Sequence, residues 1–180
     1  LIDAVNSHAW DADKPDGGEW YRAATRDDGR WIGTISDSEG KVFLNTQTWA
    51  VLSESAPADR EAAAWASVKQ HLLAPMGPLL SAPAYTKPDA TIGYITRYAP
   101  GLRENGGVYM HAATWALAAA CKRRDTSAVE QIWNSISPPT RCAADADAYF
   151  AEPYSTPGNV DGPLSSTPGK AGWTWYTGSA

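Results

Sequence analysis

The residues best suited to chemistry lie together in residues 93–111, where Glu104 and His111 stand on either side of the pair Gly106-Gly107. Two adjacent glycines let a backbone turn sharply or come close to a ligand, and Pro100 stiffens the approach. From Val108 the chain turns apolar on nearly every side, through Met110, Ala112, Ala113, Trp115, Ala116 and Leu117 to Cys121. Such a run predicts a buried inner helix with His111 in its first turn, beside free N–H groups and the positive end of the dipole. That end of a helix suits an anion. A buried histidine needs a partner, which could be an anion or a backbone carbonyl, and a carboxylate at a helix entry could be there for the dipole alone. Two further segments carry polar groups of the same kind: Glu152-Pro153-Tyr154, and Thr177-Gly178 near the end of the chain.

These loops need helices to hold them. Residues 1–10 predict the end of a helix, with Ile2, Val5 and Ala9 on one face, and residues 19–35 a short hairpin closed at Asp27-Asp28-Gly29. Helical spacing follows over Val42–Leu52 and again over Ala58–Leu73, where Pro57 fits the first turn and Trp65, Val68 and Leu72 share a face. Ser127 and Glu130 have capping-box spacing for a helix with Val129, Ile132, Trp133 and Ile136 inward, ended by Pro138-Pro139. Residues 74–92 and 140–170 are proline-punctuated and read as long loops, a length that usually marks function. Lys122-Arg123-Arg124 reads as a solvated helix end, His8 as a surface or helix-end histidine, and His71 as a cation or donor near the last carbonyls of its helix. Paired helices joined by long polar loops predict an all-α toroid with the loops gathered at one end, since strand runs are too few for a β-rich or doubly wound fold.

Composition narrows the function classes. The 180 residues fit one domain, and a formal charge of −5 with scattered basic residues argues against a nucleic-acid surface. No polybasic run or bilayer-length apolar stretch points to a membrane. Cys121 and Cys142 are too few for a disulfide framework and lack metal-site spacing, so they read as buried thiols of a reducing compartment, the cytoplasm, and no metal is expected. Nine Trp and eight Tyr stand against two Phe, a bias that suits contact with both the C–H faces and the hydroxyls of sugars, although each ring could equally be a core filler. The chain starts at Leu1 and stops at Ala180 in mid-pattern, which predicts an excerpt of a longer polypeptide.

Four ordered strings, FLNTQTWAVLS (43–53), YITRYAPGLRENGGVYMHAATWA (94–116), AEPY (151–154) and AGWTWYTGSA (171–180), resemble the C-terminal half of the catalytic domain of glycoside hydrolase family 94. The likeness runs from the hairpin around Trp20 to the last residue. These are inverting phosphorylases of cellobiose, chitobiose, cellobionic acid and related β-glucosides. The resemblance implies that residues 1–180 are the C-terminal part of an (α/α)6 catalytic domain, with long active-site loops and a short β-hairpin. It implies that His111, Thr177 and Gly178 bind phosphate, that Glu104 holds the transferred sugar, that Tyr98 lines the acceptor subsite, and that Arg103 and Asn159 belong to the sugar-binding set. Phosphate is already an anionic nucleophile that needs positioning and no general base, so such a set is chemically coherent. The implied substrates are a β-linked disaccharide and inorganic phosphate, the product is α-glucose 1-phosphate, no cofactor is needed, and homodimers are common in the family.

Two departures stand out. The family's general acid is an aspartate in an upstream motif with no counterpart here, Asp11 and Asp13 lying in the wrong context. No catalytic residue is therefore assigned to this chain, and on its own it is expected to be inactive. Where some members place a glutamine after Glu-Pro-Tyr, this chain reads Ser155-Thr156-Pro157-Gly158-Asn159, with Asn159 as the substitute. The run Asn45–Trp49 with Gly93–Arg97 is closest to the cellobionic acid type, whose acceptor carboxylate would call for a cation such as Lys87 or Arg97. Two other readings stay open: an inverting hydrolase on the same scaffold with Glu104 or Glu152 as base, and a non-catalytic carbohydrate-binding fragment.

Overall fold

The computed structural model describes residues 1–12 and 19–174. Helices carry the architecture. After α1 (Ile2–His8) come the short antiparallel pairs β1 (Trp10–Asp11) with β2 (Trp20–Tyr21) and β3 (Ala24–Thr25) with β4 (Trp31–Ile32). Strand β5 (Val42–Phe43) leads straight into α2 (Leu44–Leu52), and α3 (Ala58–His71) follows. Then β6 (Leu73–Ala74) pairs with β7 (Gly77–Pro78), and β8 (Ser81–Ala82) returns to β5. A 3-10 turn at Tyr94–Arg97 precedes β9 (Val108–Tyr109), which runs into α4 (Met110–Lys122). The described chain closes with α5 (Thr126–Ile136), α6 (Pro138–Tyr149) and β10 (Asn159–Val160), the last paired with β9. Among the described residues no helix is long and apolar enough to cross a membrane.

The core explains why these segments pack as they do. Helix α4 lies between α2 and α5, α3 covers α2, and α6 covers α5. Ala112, Ala113, Ala116, Ala119 and Ala120 are buried, so α4 presents a smooth strip against which Leu44, Val51, Ile132 and Ile136 close without large crevices. The burial is one-sided, however: His111, Ala118 and Cys121 are exposed, so the helix is not enclosed on every side as the apolar run predicts.

Other expectations are corrected. Residues 138–149 form a helix where a loop is predicted, because two prolines at its first positions start a helix as well as they end one. Its partner α5 is capped by Asp125, whose side chain accepts the Ala128 N–H, and not by Ser127. Trp133 points outward, 57% exposed, as does Ile2. Cys121 is exposed and Cys142 half-buried, with its thiol against the Ala151 carbonyl at 3.4 Å. Lys122 and Arg123 are not merely solvated: Lys122 binds Glu54 at 2.7 Å and the Leu52 carbonyl at 3.0 Å, and Arg123 pairs with Glu61. His71 packs edge-on to Trp20, and partial burial followed by repulsion from Lys41 lower its pKa, which works against a cationic role at the helix end.

Asp125 ties α3 to α5. Its Oδ2 accepts from Trp65 Nε1 at 2.9 Å and from Lys69 Nζ at 3.0 Å, and the Trp65 bond, the Lys69 bond and the capping N–H together hold its carboxyl at about 2. Because the folded pKa lies below the unfolded one, the stabilisation is complete above roughly pH 4 and disappears as pH falls from about 4 towards 2. Replacing Asp125 by Ala should cost about 1–3 kcal/mol from the lost cap and charged hydrogen bonds. Urea unfolding of the two proteins should differ by that amount at pH 7 and converge near pH 2; a difference that persists at pH 2 would contradict the assignment.

Candidate functional site

The chain between the 3-10 turn and α4 is a knot of short backbone bonds. Gly101 N–H donates to the Asn105 carbonyl at 2.8 Å, Asn105 N–H to Leu102 at 3.0 Å, and Gly107 N–H to Arg103 at 3.0 Å. Asn105 fastens the knot to its surroundings: fully buried, it accepts from Tyr85 N–H at 2.7 Å and donates from Nδ2 to the Tyr85 and Tyr98 carbonyls, each at 2.8 Å. The two glycines are needed here for different reasons. Gly106 has φ +77° and a Cβ would lie 2.7 Å from that of Ala84, whereas at Gly107 a Cβ would lie 2.6 Å from the Arg103 carbonyl oxygen. Leu80 N–H then donates to the Gly107 carbonyl at 2.8 Å and Met110 N–H to Gly158 at 3.0 Å, which fixes where β9 becomes α4.

What this positions is a pocket of about 180 Å³ lined by Asn45, Glu104, Tyr109, His111 and Trp115 over Leu80 and Ala112. Glu104 and His111, predicted from the sequence, therefore share one site. Glu104 buries its Oε2 with no hydrogen-bond partner among the described residues, so one oxygen of a carboxylate can take a donor. No side chain caps the first turn of α4, where His111 sits. The expectation of a buried histidine is corrected: His111 is exposed at the pocket's rim and meets Trp115 at a tilt of 56°, ring centroids 4.4 Å apart. Tyr109 links the group electrostatically. Burial, and then the negative charge of Glu104, push its phenol above the ordinary value, with Arg103 opposing.

The other candidates are not among the residues that line this pocket. Arg103 adopts φ +50° and holds its guanidinium 5.3 Å from the Tyr98 ring and 4.8 Å from that of Trp173. Tyr98 also meets Tyr94 edge-on, and Arg97 lies over Tyr94 at 5.7 Å. Asn159 is buried directly opposite Tyr109 in the β9–β10 ladder, which puts the two side chains on the same face, and its Oδ1 has no partner. Glu152 and Tyr154 are exposed and do not line the pocket. Lys87 lines a separate groove with Asp37 and Asp89. Thr177 and Gly178 lie outside the described residues. Tyr109 and Trp115 were not singled out as site residues from the sequence; the available signal was Trp115 one helical turn beyond His111.

The model of the Glycosyl hydrolase 94 superfamily catalytic domain matches residues 1–180. Solabiose phosphorylase of Paenibacillus borealis is 35% identical over 100% of this chain and 22% of its own length. The N,N'-diacetylchitobiose phosphorylase of Vibrio furnissii is 33% identical over 99% of the chain and 22% of its length. A cellobionic acid phosphorylase of Neurospora crassa is 36% identical over 61% of the chain and 13% of its length. The chain thus spans less than a quarter of these relatives.

Asn105 provides the test of the knot. Asn105→Ala leaves the Tyr85 N–H and two buried carbonyls without their partners, at about 1–3 kcal/mol for each group left unsatisfied. Hydrogen exchange at residues 98–107 should speed up by at least ~100-fold; unchanged exchange there would show that the glycine turns hold the loop unaided.

Proposed function

The chain belongs to the glycosyl hydrolase 94 superfamily, and from that premise we propose that it is part of an inverting β-glucoside phosphorylase, the C-terminal part of an (α/α)6 catalytic domain. Phosphate attacks the anomeric carbon of a β-linked disaccharide from the face opposite the leaving sugar. The C1–O bond to the leaving sugar breaks, a C1–O bond to phosphate forms with inversion, and the leaving oxygen takes a proton from an acid that this chain does not supply. The products are α-glucose 1-phosphate and a free sugar. The carrying observation is that Glu104, with an unpartnered buried oxygen, and His111, in the uncapped first turn of α4, share one pocket.

In this reading Glu104 accepts hydrogen bonds from hydroxyl groups of the transferred sugar, and its buried oxygen gains the hydrogen bond that it lacks. His111 and the N-terminal end of α4 hold phosphate, with Thr177 and Gly178 from the last segment of the chain. Tyr98, Arg103 and Asn159 serve the sugars. A histidine beside Glu104, where an inverting hydrolase would use a second carboxylate, favours phosphorolysis over hydrolysis. The whole enzyme works in the cytoplasm as a homodimer and requires no cofactor.

For the acceptor we propose a sugar acid, as in cellobionic acid. Arg103 is exposed with its guanidinium close to two aromatic rings, contacts that do not use its N–H donors and so suit it to a carboxylate, and Arg97 adds a second cation over the neighbouring Tyr94. Lys87 is less suited, since acidic groups share its groove. The full-length protein, given α-glucose 1-phosphate with glucose, N-acetylglucosamine or gluconate, should release phosphate, and fastest with gluconate. Glu104→Gln should lower the rate roughly 10- to 100-fold, the worth of a hydrogen bond to a charged group. Cleavage of a β-glucoside at the same rate with and without phosphate would make the protein a hydrolase instead.

A further inference from the structure

His111 has no protein hydrogen bond to either ring nitrogen among the described residues; its backbone carbonyl accepts from Thr114 Oγ1 at 2.8 Å, which orders the helix and not the ring. An exposed imidazole in that position is free to rotate about two bonds, and fixing it on a ligand costs side-chain entropy. What meets the ring is Trp115, one turn on, at 4.4 Å between centroids and 56° between planes. Trp115 is itself met edge-on by Trp49 of α2, at 5.3 Å and 70°. Trp49 stays 46% exposed, more than filling the core would require of a tryptophan.

A ring-to-ring contact has a chemical advantage here. Hydrogen bonds to an imidazole use the nitrogens that a ligand needs, whereas a tilted contact with an indole restricts the ring without engaging either nitrogen in a hydrogen bond. We propose that Trp115, braced by Trp49, is a positioning residue for His111: the Trp49–Trp115–His111 ladder sets the imidazole plane so that its edge is aimed at phosphate before phosphate arrives. Trp115 acts through His111 and not as a platform for sugar, although it borders the same pocket. The proposal rests on the reading that His111 binds phosphate. Trp49 and Trp115 sit on different helices, so the ladder also makes the placement of the ring depend on the α2–α4 packing beneath it.

The test is equilibrium binding of inorganic phosphate and, separately, D-glucose to the full-length protein by calorimetry. Trp115→Ala should weaken phosphate binding ~10-fold, the usual scale for loss of a supporting contact behind a ligating group, and Trp49→Ala less. Glucose binding to both should stay within about twofold of the parent. Trp115→Phe, which keeps an aromatic face, should recover most of the phosphate affinity. Weakened glucose binding with phosphate unchanged in Trp115→Ala would overturn the proposal in favour of a sugar platform. Equal weakening of both, with no recovery in the Phe variant, would make Trp115 structural and overturn it too. His111→Ala separates the two levels: if it leaves phosphate binding intact, the phosphate reading itself falls and the proposal with it. If His111→Ala weakens phosphate while Trp115→Ala does not, only the positioning role fails.

Discussion

A carboxylate oxygen kept from water with no donor of its own is the constraint on which the site turns. Leaving a buried acceptor unsatisfied costs about 1–3 kcal/mol, and more when the group is charged, so Glu104 would swing outward if the chain around it could yield. It cannot easily yield. The residue before it is held in the left-handed region, the residue after it is fully buried and bonded to Tyr85 and Tyr98, and the two glycines beyond fill spaces too small for a methyl group. The loop thus stores an unfavourable arrangement that a sugar hydroxyl would relieve, which is pre-organisation in the ordinary sense.

That loop is held from three directions by distant parts of the chain. Leu80 bonds to Gly107 from the β7–β8 side, Gly162 N–H bonds to the Gly101 carbonyl at 2.7 Å, and Gly158 receives Met110 N–H while donating to the Trp173 carbonyl at 2.6 Å. A glycine is required at 162 for the same reason as at 107, since a Cβ would run into the Gly106 carbonyl. The loop carries Glu104 while helices α2 and α4 supply Asn45, His111 and Trp115, a division that places the pocket's side chains on rigid elements without burying the site.

Much of this was legible in the chain itself. Helices α2 to α5 follow from apolar spacing, and Glu104, the glycine pair and His111 announce a site because polar chemistry is packed against an apolar run. What escaped notice is what periodicity does not encode. Asn105 looks like any loop asparagine until Tyr85 is found beside it, twenty residues away in sequence. Helix α6 was hidden because Pro138-Pro139 closes one helix and opens the next, and the same dipeptide supports both readings. Asp125 and Ser127 both fit a cap; the choice fell to Asp125 because its other oxygen could reach Trp65 and Lys69 on α3, a tertiary reason. The exposure of His111 and Trp133 was likewise a matter of which face found a neighbour.

The balance of charge at the pocket bears on which nucleophile it suits. A hydrolase must make its nucleophile by removing a proton from water, and a second carboxylate is the usual means. Phosphate brings its own negative charge, and a pocket that set two carboxylates around it would repel it. Here the residues that line the pocket include one carboxylate, Glu104, together with His111 in the first turn of α4, and outside it the Arg103 guanidinium lies close to two aromatic rings. A helix end and an imidazole favour an anion, and a carboxylate favours hydroxyl groups. In the proposed phosphorolysis, charge alone would then draw phosphate towards the helix end and His111 and sugar hydroxyls towards Glu104, a separation that suits an in-line displacement at an anomeric carbon.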